Sequence, residues 1–90
     1  MNELDILRLF YDDMKGRGVT RDVVFLNIDA SMAGVLSQKL AIPVSLEEAR
    51  KLTDNCIANE WLERTTIDPG YNFLSLTEAG LQMILNIEYS

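Results

Sequence analysis

The chain has no histidine, a single cysteine and two prolines in 90 residues, and its 8 Lys and Arg are outnumbered by 14 Asp and Glu. Each shortage excludes something. Without histidine the commonest general base and the commonest metal ligand are missing. One cysteine rules out an internal disulfide and any Cys-rich zinc site. Cys56 falls on the apolar face of a helical pattern and reads as a small core residue. No apolar run approaches the roughly 20 residues of a membrane span. The opening Met-Asn-Glu-Leu-Asp is acidic where a secretory signal would be basic, so the expectation is a cytoplasmic chain with no membrane association. Positive charge is scarce: the net charge is −6 and the isoelectric point about 4.4. Phosphate neutralisation by Lys and Arg supplies most general affinity for nucleic acid, so a chain this acidic must gather its cations on one face to bind DNA.

What is present suits one small domain over residues 1–90. Apolar residues make up 48% of the chain, enough for a core and too many for disorder. No catalytic constellation appears. Asp12-Asp13 and Glu47-Glu48 are adjacent pairs, which point about 100° apart on a helix and do not converge. Gly16-Arg17-Gly18 is too short for a phosphate loop, and no calcium-loop spacing occurs. The expectation is a non-enzyme with no cofactor and no metal.

Residues 3–15 read as a first helix. Leu4, Leu7, Tyr11 and Met14 share one side, and Ile6 and Phe10 widen the apolar arc beyond what one core contact needs. Either the domain buries this helix deeply, or a partner covers part of it. Gly16 and Gly18 end it. Residues 20–28 stay open between two forms. Val23, Val24, Phe25, Leu26 and Ile28 suit a strand, while Thr20 can cap a short helix from Arg21. Asp29 or Ser31 can cap the next helix, with Met32, Val35, Leu36 and Leu40 inward, and Pro43 closes it.

Residues 43–80 organise the rest. Ser45 and Glu48 have capping-box spacing, with Val44 and Ala49 as a weak hydrophobic staple. Ala49, Leu52, Cys56 and Ile57 then form one helix face. Residues 63–67 read as a strand, Asp68-Pro69-Gly70 as a turn, and 71–76 as the returning strand. Thr77 can cap a last helix. On that helix Leu81, Ile84 and Leu85 make a core stripe, and Ala79, Met83 and Ile87 a second one.

The order helix, hairpin, helix, with a short helix and tight turn before it, resembles the winged-helix family of helix-turn-helix domains. Tyr71-Asn-Phe-Leu-Ser-Leu-Thr-Glu-Ala-Gly80 resembles the end of the wing, where Leu-Thr-x-x-Gly leads into the next helix. The resemblance covers roughly residues 30–85. It implies an α+β fold: a three-helix core, a β-hairpin wing and a C-terminal helix. It also implies a DNA-binding transcriptional regulator whose recognition helix is about 46–59, with double-stranded DNA as partner. Arg50 and Asn55 then face base edges, Lys51 a phosphate, and Arg64 and Lys39 the flanks of the groove. Trp61, Tyr71 and Phe73 read as packing residues. The wing tip carries no Lys or Arg, unlike regulators that use the wing on DNA. The family's habit of dimerising through first and last helices points to a homodimer, with Ile6, Phe10, Met83 and Ile87 at its interface. Helix-surface pairing of Glu47 with Lys51 and of Arg50 with Asp54 would produce the same pattern. The acidity favours the alternative, a winged helix used for protein–protein contact without DNA.

Overall fold

The computed structural model describes residues 1–67 and 70–88. The described chain is α+β, with four helices and a two-stranded antiparallel sheet. The elements are α1 (Glu3–Arg17), a 3-10 turn (Arg21–Val23), α2 (Ala30–Leu40), α3 (Leu46–Ala58), β1 (Leu62–Arg64), β2 (Leu74–Leu76) and α4 (Glu78–Glu88).

α1 is the central element and packs against α3, α4 and β2. Its start carries a complete capping box: Asn2 Oδ1 accepts the N–H groups of Leu4 and Asp5, and Asp5 Oδ2 accepts the Asn2 N–H at 2.9 Å. Gly18 ends it in the left-handed region at φ 67°. The Gly18 and Val19 N–H groups donate back to the Lys15 and Met14 carbonyls there. Ile6, Leu7, Leu9, Phe10 and Tyr11 are all buried. The wide apolar arc is therefore consumed inside one chain. Ile6 and Phe10, expected at a dimer interface, have 0% exposure and offer no surface to a second copy.

Both forms foreseen for residues 20–28 occur in part. Thr20 precedes the 3-10 turn, although its hydroxyl bonds the Asp22 carboxylate and not the backbone. The chain then runs extended, and Leu26 forms a single bridge to Leu74 on β2. Pairing stops there because Phe73 is left-handed at φ 54° and Ile28 N–H finds the Tyr71 carbonyl instead. This is the local kink of a bulged strand.

Asp29 caps α2 by accepting the Met32 N–H at 3.0 Å. Ala33 and Leu36 are buried, whereas Val35 is 38% exposed, so the inward face is rotated from the one expected. Ala41 ends α2 in the left-handed region. The Ser37 hydroxyl then pins the turn, donating to the Ala33 carbonyl and accepting the Val44 N–H at 2.9 Å. Ser45 caps α3 through the Glu48 N–H, without the reciprocal carboxylate bond. Ala49, Thr53 and Cys56 are buried, and Thr53 satisfies its hydroxyl on the Ala49 carbonyl.

The hairpin is shorter than residues 63–67 and 71–76. Leu62 opposes Leu76, Glu63 opposes Ser75 and Arg64 opposes Leu74. Thr65 and Thr66 are exposed, and Ile67 is fully exposed. Most of the expected Asp68-Pro69-Gly70 turn lies outside the described residues. Thr77 caps α4 as expected, its hydroxyl accepting the Gly80 N–H at 3.0 Å. Met83 is half-buried against the core and Ile87 is 49% exposed, so α1 covers part of the second stripe.

Candidate interaction surface

The outer face of α3 and the segment leading into β2 enclose an open groove of about 580 Å³, lined by Leu46, Glu47, Arg50, Lys51, Asp54 and Tyr71. Arg50 lies across this groove rather than out of it. Its Nε donates to the Ile28 carbonyl at 3.3 Å, and its guanidinium sits 4.9 Å over the Tyr71 ring. Tyr71 donates its hydroxyl to Asp54 Oδ2 at 3.0 Å. Arg64 comes within 4.0 Å of the other Asp54 oxygen, and its Nε donates to the Gly70 carbonyl. Arg50, Tyr71, Asp54 and Arg64 thus form one chain of contacts linking α3 to the hairpin. The Asp54 hydrogen bond, helped by burial and the Asp54 charge, holds the Tyr71 phenol above its ordinary pKa.

Lys51 is exposed in the same groove and, among the described residues, has no ionic or aromatic partner. Asn55 is exposed on the third turn, outside the groove lining. Lys39 is not brought to this face. It pairs with Asp12 at 2.9 Å and lines a separate groove between α1, α2 and Leu26. The helix-surface pairs Glu47–Lys51 and Arg50–Asp54 are not formed. Tyr71 is the member that sequence reasoning missed. Its linking role depends on two side chains on α3, about which neighbouring residues carry no signal.

The remaining cations are also engaged. Arg8 pairs with Glu88, Arg17 with Asp13 and Arg21 with Glu78, at 2.5, 2.9 and 3.2 Å. Lys15 lies 5.1 Å over the Tyr11 ring. Among the described residues, five of the 8 Lys and Arg are in carboxylate pairs, two sit over tyrosines, and Lys51 has neither kind of partner.

Cys56 is wholly buried, and burial first, then the nearby Glu3 charge, pushes its thiol up to about 12. It stays protonated at neutral pH and is inert. Among the described residues no group of three or more Cys, Asp or Glu is placed to hold a metal ion, and no helix is long and apolar enough to cross a membrane. Comparison with protein-family models, with curated proteins and with solved structures finds no match.

Proposed function

We propose that the chain is a winged-helix module that binds another protein through α3 and the wing, and that it is not built for DNA. The layout supports the winged-helix assignment: α2 and α3 are joined by a short pinned turn, a hairpin follows, and Leu26 pairs on the far side of β2. The engagement of the cations carries the functional reading. A phosphate-binding face needs several free Lys or Arg side chains. Here Glu47, Glu48 and Asp54 balance Arg50, Lys51 and Arg64 on and beside α3, and two of those three cations are tied to the wing network. Mixed charge around an open groove, with Ile42, Ile67 and Phe73 exposed nearby in the chain, suits a protein surface better than a duplex.

A second reading has one observation in its favour. Lys51 is exposed on the solvent side of α3 without an ionic partner among the described residues, where a DNA-binding regulator of this fold would meet a phosphate. The two are separated by anisotropy of a labelled mixed-sequence duplex at about 50 mM salt. The wild-type chain is expected to leave the duplex unbound. Glu47→Gln combined with Asp54→Asn frees positive charge on the same helix and is expected to create weak binding that salt abolishes. Wild-type binding that falls steeply with salt would overturn the protein-contact reading.

A further inference from the structure

Leu26 spends both backbone groups on Leu74: its N–H donates at 3.0 Å and its carbonyl accepts at 2.9 Å. Backbone groups alternate direction along an extended strand. The N–H and C=O of Phe25 and Asn27 therefore face the opposite way, off the edge of the sheet. Among the described residues none of these four groups has a hydrogen-bond partner. The edge is apolar as well as open. Phe25 is 48% exposed and Val23 49%. Beside it runs a groove of about 260 Å³ whose apolar lining is Leu9, Leu26, Met32 and Val35.

We propose that this edge pairs with the same edge of a second copy, in a two-fold antiparallel ladder. Three features select a copy of this chain as the occupant. An antiparallel pairing of a segment with itself is two-fold by construction, the commonest symmetry of soluble oligomers. With Phe25 opposite Asn27 of the second copy, all four outward groups on each chain are satisfied, and Leu26 meets its counterpart at the axis. Charge gives the third. Two chains of net charge −6 repel over most of their surfaces, yet Val23-Val-Phe-Leu-Asn-Ile28 contains no charged side chain. In this register Asp29 falls opposite Val23 of the second copy, so no carboxylate of the paired segments faces another; Asp12, Asp13 and Lys39, which also line the groove, belong to α1 and α2 outside the ladder, with Asp12 paired to Lys39. The half-exposed Leu26 and Met32 and the exposed Val35 are then covered. This dimer differs from one through the first and last helices, and it does not depend on what α3 binds.

Sedimentation velocity over a concentration series, with backbone amide exchange on the same samples, tests it. The wild-type chain is expected to reach twice the monomer mass as concentration rises, with the Phe25 and Asn27 amides slowing in step. Phe25→Pro deletes an outward N–H that the fold does not use, and Val24 (φ −101°, ψ 117°) already has a conformation suited to a residue before proline. It is expected to stay monomeric with unchanged circular dichroism. Phe25→Lys keeps the backbone donor and places like charges at the edge, and is also expected to be monomeric; it decides the matter if the proline variant does not fold. A wild-type chain that stays monomeric up to millimolar concentration overturns the proposal. So does a dimer that survives Phe25→Lys, or one whose Phe25 and Asn27 amides exchange as fast as in the monomer.

Discussion

Whereas Gly16, Gly18 and Gly34 face open space, Gly80 has no room for a side chain. A Cβ added there would overlap the Trp61 carbonyl oxygen and press on Leu76 Cδ1, so α4 can reach the wing only through a residue without a side chain. The obstacle is mainly backbone and cannot swing away. Gly80→Ala is expected to cost about 3 kcal/mol, at the upper end of overpacking costs. Ala41 is the opposite case. It ends α2 at φ 57°, where an L-residue is disfavoured by about 1–2 kcal/mol. Glycine there removes that penalty but adds freedom to the unfolded chain, so Ala41→Gly is expected to gain about 0.5–1 kcal/mol. Chemical denaturation of the two variants beside the parent checks both signs. Tyr71 is a third residue with a definite signature. Its raised pKa comes first from the Asp54 hydrogen bond, so Asp54→Asn is expected to lower it, as read from phenolate absorbance during an alkaline titration. A folded pKa above the unfolded one means that the contact contributes stability below the phenol's ordinary pKa. That contribution is lost as pH rises through the raised value. In the wild-type chain the Tyr71–Asp54 contact should therefore weaken only in strong alkali, whereas the Asp54→Asn phenol, with its lower pKa, ionises first.

At the scale of elements, the sequence was informative wherever one residue acts on its own backbone. Asp29, Ser45 and Thr77 cap helices where their spacing said they would, and α2 closes just before Pro43. Legibility failed where the outcome depends on what lies across the core. The two-sided apolar arc of α1 allowed deep burial or a partner, and only the packing of α3, α4 and β2 around it decides for burial of Ile6 and Phe10. Val35 turns outward because Ala33 and Leu36 take the inner face of α2, a rotation that a helical apolar pattern with several solutions cannot fix. The strands are short because Phe73 adopts a left-handed backbone, which its residue type does not announce. The contacts of the candidate surface were the least legible. The sequence marks Arg50 and Arg64 as candidates, but the pairing of Arg50 with Tyr71 and of Asp54 with Tyr71 and Arg64 joins segments distant in sequence.

For the whole molecule, the distribution of charge matters more than its total. Most of the carboxylate pairs bridge distant elements: Arg8–Glu88 joins α1 to α4, Lys39–Asp12 joins α2 to α1, and Arg21–Glu78 joins the 3-10 turn to α4. These are exposed pairs, each worth little to stability. Their larger consequence is for binding, since a cation held by a carboxylate is less available to a phosphate. On the proposed protein-contact reading, this internal use of cations removes much of the general attraction on which DNA recognition is built. The segment 24–28 meets the α3 groove at Ile28, whose carbonyl accepts the Arg50 bond, but Phe25 and Asn27, which carry the open edge, do not line that groove.

Two-dimensional amide spectra, recorded while mixed-sequence duplex DNA is titrated into the wild-type chain at about 50 mM and about 200 mM salt, separate the possibilities. No shift beyond the general effect of ionic strength is expected at residues 45–55 or at Arg64 in either condition. Shifts concentrated on Arg50, Lys51, Asn55 and Arg64 at the lower salt, collapsing at the higher, would contradict the protein-contact reading and make α3 a recognition helix.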